Sequence, residues 1–204
     1  MESSSSVEVM KYLKLDLHTH PFEALGFPSP SIDTVARIVR QVKRAGLDGI
    51  AITEHGESSY GLGAAEIAKE YFPEVIIIPG VELEVSGIGP ATHRQVVELY
   101  LGGRVFRFQV HPYDERPEIL STCQGIEVRN YLHKGMDEDL AMQLALKFNL
   151  LPLRNSDAHR LEEIGKYYNV IGLEVLYERG APTNTKDRAP SDASSRARAG
   201  ARRS

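Results

Sequence analysis

Asp16-Leu17-His18-Thr19-His20 closes an apolar run that begins near Tyr12. In an extended strand the side-chain period is two, so this stretch is expected to direct His18 and His20 to one side with Asp16 beside them. Imidazole is the commonest neutral metal ligand, and two rings facing one point make half of a metal site. Cys123 is the single cysteine, which excludes an internal disulfide and any thiolate-rich zinc cluster. Metal chemistry in this chain therefore has to use His and carboxylate. The thiol has no basic neighbour to activate it and is expected to be inert and buried.

Outward from this stretch, strand and helix alternate. Leu13 to Leu17 reads as a strand, and Val35, Ile38, Val39, Val42 and Ala45 then recur at helical spacing, opened by Ser31 as N-cap and closed by Gly46. Asp48 to Thr53 is a second strand ending in Glu54-His55. Ala64, Ile67, Ala68 and Tyr71 form the stripe of a second helix. Val75-Ile76-Ile77-Ile78 then has the unbroken apolar character of a parallel strand covered on both faces, and it leads to Gly80-Val81-Glu82. Further strands fit Val96 to Leu101, Val105 to Val110 before His111, Ile126 to Val128, and Leu151 to Asn155. A helix capped by Asp137, with Leu140, Ala141, Leu144, Ala145 and Phe148 on one face, joins the last two. Val170 to Leu176 is expected to close the sheet as a strand.

The polar residues fall in one register. His20, Glu54-His55, Glu82, His111, Glu127 and Asp157-Ala158-His159 all lie at the C-terminal ends of these strands, the rim on which barrel enzymes assemble their sites. Six strands delivering imidazole or carboxylate to one rim point to a multinuclear centre for divalent ions, with Mn, Zn or Fe all compatible.

Composition adds bounds. A chain of 204 residues with 42% hydrophobic content supports one core. No apolar run approaches the roughly 20 residues of a membrane-spanning helix. Met1-Glu2 and the serines that follow lack the basic and apolar regions of a secretory signal, so a cytoplasmic protein without a membrane partner is expected. Residues 1–10 read as a disordered extension and 11–178 as the folded domain. Residues 179–204 read as a disordered basic tail, too poor in apolar residues to offset the entropy of ordering. That tail carries seven basic and two acidic residues, leaving 17 against 26, a net −9, before it. Such a charge makes long nucleic acid an unsuitable partner, since its binding rests on Lys and Arg neutralising phosphates.

Taken in order, Asp16-Leu17-His18-Thr19-His20, Thr53-Glu54-His55, Gly80-Val81-Glu82, His111-Pro112, Ile126-Glu127-Val128 and Ser156-Asp157-Ala158-His159 resemble the successive motifs of the PHP (polymerase and histidinol phosphatase) family, over roughly Lys11 to Tyr177. The resemblance implies an α/β fold, a distorted (β/α)7 barrel with its metal site at the C-terminal ends of the strands. It also implies two or three divalent metal ions and hydrolysis of phosphomonoesters or phosphodiesters through a metal-bridging hydroxide. The substrate would be a small phosphorylated metabolite, a nucleotide or an oligonucleotide end.

By position, the resemblance gives His18, His20 and Asp157 to one metal and makes Glu82 a bridge to a second, held by His93 and His111. His55 and His159 would hold a third, with Glu23 as the candidate further ligand. Glu82, His111, Asp157 and His159 would carry catalysis, and Glu127 would support the site without bridging. Glu54 stands where the family has Asp and is expected to orient its neighbour. Arg154-Asn155 replaces a glycine common before the last motif. Only Gly102-Gly103 separates two strands where many members insert a capping segment, which implies an open mouth. Arg129, Arg154 and Arg160 flank the late motifs and are expected to clamp a substrate phosphate. His133 lies on a loop beside the site as a leaving-group or ligand residue. Amide or lactone hydrolysis at the same centre, and a non-catalytic metal-binding regulatory module, are the other readings.

Overall fold

A computed structural model describes residues 11–86, 93–112 and 118–183, with the side chains of Ser86 and His93 excepted. The N-terminal extension and the chain from 184 onward lie outside the described residues. Strand β1 (Leu13–Asp16) pairs in parallel with β2 (Gly49–Ile52), and β2 with β3 (Ile76–Ser86). The crossovers carry α1 (Pro21–Ala24), α2 (Ile32–Arg44) and α3 (Ser59–Tyr71). Helix α2 starts where the sequence places it: Ser31 Oγ accepts from Thr34 N–H, Thr34 Oγ1 accepts from Ser31 N–H, and Gly46 at φ +69° ends the helix. Val35, Ile38, Val39 and Val42 form its buried stripe.

Beyond β3 the chain departs from simple βα repetition. Strand β4 (His93–Leu101) folds back antiparallel on β3, and β5 (Arg104–Gln109) folds back on β4 through Gly102-Gly103, both at positive φ. Two reversals restore the original direction, so β5, β6 (Gly125–Asn130) and β7 (Leu151–Asn155) run parallel to β1–β3. The α/β barrel is thus mixed. Its strand order is β7-β6-β5-β4-β3-β2-β1-β8, with β8 (Asn169–Ile171) antiparallel to β1 and β9 (Ala181–Pro182) antiparallel to β5.

Three expectations need correction. The closing strand expected over Val170–Leu176 is only the three-residue β8, because after Gly172 the chain turns into α5 (Leu173–Arg179). Leu176 on that helix is fully buried with Leu13 and Ile171, plugging the end of the barrel opposite the rim. Arg179 ends α5 instead of beginning the tail, and Ala181–Pro182 extends the sheet at β5. Phe148 and Tyr71, expected on buried helix stripes, are exposed. Each stands at a helix C-terminus, on α4 (Glu138–Lys147) and α3 respectively.

The core has two levels. Inside the barrel, Leu15, Leu17, Ala51, Ile78, Leu99, Phe106, Phe108 and Leu153 fill the space beneath the polar rim. Outside, α2 and α3 pack on Ile50, Ile52 and Ile77, and α4 packs on Ile126 and Val128.

The barrel closes between β7 and the β1–β8 pair by side-chain amides. Asn169 takes the Arg154 N–H on its oxygen (2.9 Å) and donates to the Arg154 carbonyl (3.0 Å), and Asn155 Oδ1 accepts from Leu17 N–H (3.1 Å). Above them the two chains meet directly, Asp157 N–H donating to His18 O and His20 N–H to Ala158 O, each at 2.9 Å.

Strand β2 sits close against β3. A Cβ on Gly49 would stand 2.3 Å from the Ile76 carbonyl oxygen and 2.7 Å from its Cβ. Gly49→Ala should therefore force the two strands apart, at a cost of about 1–3 kcal/mol and a fall of several degrees in Tm. Thermal denaturation followed by circular dichroism measures it, and an unchanged Tm would contradict this close register.

Candidate metal centre

Four side chains form a buried floor. His18 and His20 follow β1, Glu82 lies within β3 where the parallel pairing with β2 gives way to the β4 hairpin, and Asp157 follows β7. His20 Nε2 lies 3.1 Å from Asp157 Oδ1 and 3.5 Å from Glu82 Oε2, and His18 Nε2 lies 3.4 and 3.5 Å from the same two oxygens. The second Glu82 oxygen faces His111 Nε2 at 3.2 Å. His18 Nε2, both ring nitrogens of His20 and Glu82 Oε2 are buried without a hydrogen bond among the described residues. Buried polar atoms in such number are costly unless something satisfies them, and imidazole nitrogens with carboxylate oxygens are the donor set of a divalent cation. The residues fit a metal.

The electrostatics agree. Burial pushes His20 down to about 4, which keeps its ring neutral and its lone pair available. For His18 burial acts in the same direction, but the carboxylates of Asp157, Glu127 and Glu82 override it and hold the ring well above its ordinary range. Burial in turn raises Glu82 and Asp157, and the surrounding imidazoles, His18 foremost, outweigh it and hold both far below the usual carboxylate range. The two carboxylates draw positive charge to one point.

The mouth is built from half-exposed imidazoles. His55 Nδ1 lies 2.9 Å from Glu82 Oε2, and His159 Nδ1 donates to the carbonyl of Asp157 (3.0 Å). Their Nε2 atoms then face each other at 3.3 Å, a juxtaposition of lone pairs that a shared cation turns into an attraction. Glu23, on α1, reaches to 3.6 Å from His159 Nε2. On the other side His133 Nε2 lies 3.1 Å from Asp157 Oδ2, with its ring centroid 4.3 Å from that of His111. Ligand atoms thus gather in four overlapping sets: His18, His20 and Asp157; His18, Glu82 and His111; His111, His133 and Asp157; and His20, His55 and His159.

Beneath the ligands lies Glu127. Its oxygens accept from His18 Nδ1 (3.0 Å), the His111 backbone N–H (2.9 Å), Asn130 Nδ2 (3.0 Å) and Asn155 Nδ2 (2.8 Å). A carboxylate so saturated orients ligands and does not join them: it fixes the His18 tautomer so that Nε2 points at Glu82 and Asp157. His111 and Asp157 sit at φ +27° and +55°, a costly conformation for side-chain-bearing residues that aims both side chains inward. Glu54 accepts from Phe22 N–H (2.7 Å) and stands 3.9 Å from His20 Nδ1, its carboxyl pushed up to about 7 by burial.

The structure thus brings together His18, His20, Glu23, His55, Glu82, His111, His133, Asp157 and His159. His93 opens β4 opposite Ser86, and its side chain lies outside the described residues. Asp16 does not stand beside the imidazoles. Strand β1 ends there, and its carboxylate instead takes the N–H groups of Ser156 (3.1 Å) and Gly165 (2.9 Å).

Arg129 and Arg154 are not directed at the centre. Arg129 pairs with Glu138 (2.6 Å) over the Tyr167 ring, because β6 carries a bulge: Glu127 pairs with Leu153 but Arg129 with Arg154. The extra residue, Val128, turns Arg129 outward and Asn130 inward. Arg154 is exposed between buried Leu153 and Asn155, and exposed Arg160 opens the 3₁₀ turn Leu161–Glu163. Asn130 and Asn155, which hydrogen-bond Glu127 beneath the candidate centre, are the residues that sequence reasoning missed. Alternation from Leu153 could have found Asn155, but nothing in the sequence marks the bulge. Cys123 is buried, its thiol pushed up to about 12 by burial.

Comparison with known proteins places the fold among solved structures and matches one segment to a family. The PHP-associated family matches residues 135–177, a segment that includes Asp157 and His159. The uncharacterized protein MJ1587 of Methanocaldococcus jannaschii is 26% identical over 160 residues, covering 66% of this chain and 92% of that protein. Among solved structures, a candidate metal-dependent phosphoesterase from Bifidobacterium adolescentis shares the fold at TM-score 0.59 and 12% identity, over 85% of this chain and 98% of that one. An amidohydrolase from Chromobacterium violaceum, solved with bound sulfate and no metal, does so at TM-score 0.53 and 14% identity, over 84% and 99%.

Glu82 and Glu127 should respond differently to substitution. Glu82→Gln removes the negative charge shared by four imidazoles, and divalent-ion content after dialysis against a defined free metal concentration should fall steeply. Glu127→Gln places an amide N–H against donors but leaves every ligand in place, so affinity should fall only about 10- to 100-fold. Elemental analysis with circular dichroism measures both. Full metal content in Glu82→Gln would remove Glu82 from the ligand set.

Proposed function

From the chain's likeness to the PHP-associated family over residues 135–177 and from the geometry of the centre, we propose that it is a metal-dependent hydrolase that cleaves phosphomonoesters or phosphodiesters of a small metabolite, nucleotide or oligonucleotide end. The reading rests on one observation: two buried carboxylates, Glu82 and Asp157, converge with the unbonded Nε2 atoms of His18 and His20 at the C-terminal rim of the parallel strands. Two or three ions of the Mn, Zn or Fe type would be held there by His18, His20, His55, Glu82, His111, Asp157 and His159, with Glu23 and His133 within reach. Such ions supply Lewis acidity and an activated water at neutral pH.

The chain's own groups supply the rest. Glu82 presents separate oxygens to His111 and to the His18, His20 and His55 side, and so spans two ligand sets. Glu127 holds His18 in one tautomer. His133 and His159 are partly exposed at the mouth, where a leaving oxygen can receive a proton from an imidazole. The Gly102-Gly103 turn, expected to leave the mouth open, joins β4 to the start of β5 at the end of the barrel away from His111, because β4 runs antiparallel to its neighbours, and so it does not border the mouth.

A second reading, amide or lactone hydrolysis, is favoured by the outward direction of Arg129 and Arg154, which removes two of the expected phosphate clamps, and by the likeness to the Chromobacterium protein. A panel of nitrophenyl phosphates, nucleotides, short oligonucleotides, amides and lactones separates the two. We expect phosphoester turnover that a chelator abolishes and added metal restores. Glu82→Gln should lower it by roughly 10³-fold, or about 4 kcal/mol of barrier. Turnover confined to amides or lactones would establish the second reading.

A further inference from the structure

One buried amide lies at the junction of everything that faces the centre from its late strands. Asn130 is 3% exposed. Its Oδ1 accepts from the backbone N–H groups of Leu132 (2.9 Å) and His133 (3.0 Å), forming the turn that carries His133. Its Nδ2 donates to Glu127 Oε2 (3.0 Å) and Asp157 Oδ2 (3.2 Å). All four hydrogen-bonding positions of the amide are used, and its orientation is unambiguous: two N–H groups face one end and two carboxylate oxygens the other.

The side chain reaches this place only because of the β6 bulge. In a regular ladder the face carrying Glu127 would next present Arg129, and Asn130 would point away. With Val128 inserted, Asn130 pairs with Asn155 and both amides turn into the barrel. Asp lacks the donors for Glu127 and Asp157, and Gln is a methylene too long.

We propose that Asn130 is the positioning residue of the centre, a single amide that fixes the turn presenting His133 and, through its other end, the aim of Asp157 and Glu127. The inference deepens the metal-centre reading and rests on it for its metal-binding half. His133 and Asp157, 24 positions apart in the chain, are then set by the same group, so His133 cannot leave its turn without releasing the carboxylate it faces.

Two variants separate the two ends of the amide. Asn130→Ala removes both; Asn130→Asp keeps an acceptor for the turn and loses both donors. Backbone amide exchange, measured by NMR without metal, reads the turn, and cobalt(II) titration with its visible spectrum reads the ligands. In Asn130→Ala we expect exchange at Leu132 and His133 to quicken at least tenfold while Ile126 stays protected, and cobalt affinity to fall about 10- to 100-fold. In Asn130→Asp we expect exchange near the wild-type rate with an altered cobalt spectrum. Exchange and affinity within twofold of wild type in Asn130→Ala would overturn the proposal. So would an Asn130→Asp variant with fast exchange and an unchanged spectrum, which also decides the matter if Asn130→Ala does not fold. Failure of the wild-type protein to bind cobalt would instead sink the metal-centre reading, while the exchange data still judge the turn.

Discussion

Closure of the barrel between its first and last parallel strands is the constraint on which the site depends. The first motif lies at His18 and His20 and the last at Asp157, and only a closed sheet brings them within 3.1–3.4 Å. A sheet edge left open here would expose unpaired backbone groups inside the protein. The chain answers with Asn155 and Asn169, whose amides stand in for a strand ladder between β1 and β7, and then with backbone bonds from Asp157 to His18 and from His20 to Ala158. The polar groups that seal the seam continue upward into those that aim the ligands: Asn155 accepts from Leu17 with its oxygen and donates to Glu127 with its nitrogen.

This continuity explains how so much charge is tolerated inside. Glu82, Glu127 and Asp157 are all buried, and buried carboxylates are expensive unless hydrogen-bonded or matched by positive charge. Glu127 meets the requirement with four donors. Glu82 and Asp157 meet it only in part and turn toward imidazoles whose nitrogens are themselves unsatisfied. The satisfied Glu127 supports the site from beneath, and Glu82, with one oxygen left without a hydrogen bond, faces with Asp157 the point where a cation would gain most. Stability is given up at the floor of the rim, with further strain stored at His111 and Asp157.

Much of this was legible in the residues. The alternation of strand and helix, the Ser31 and Asp137 caps and the placement of His20, His55, His111 and Asp157 just past strand ends all derive from short-range patterns, because apolar periodicity and capping chemistry act over a few residues, whereas Glu82 lies inside a β3 that runs on to Ser86. Since parallel strands in a barrel share one C-terminal rim, the residues just past each strand end were enough to name most of the cluster, with Glu23 added only by the resemblance to the PHP motifs and His133 by its loop beside the site.

Only the tertiary structure decided the rest. Alternation predicted Asp16 beside the imidazoles and left Arg129 free to face the substrate, but β1 ends at Asp16 and the bulge in β6 reverses the face of each residue after Val128. A one-residue slip changes every side chain beyond it, and no local pattern announces it. Likewise the reversal at β4, the collapse of the last expected strand into α5, and the amide seam depend on partners far along the chain. Local chemistry determined which residues could serve a metal; long-range register decided which of them, with Asn130 and Asn155 added and Arg129 and Arg154 turned away, come together at one rim.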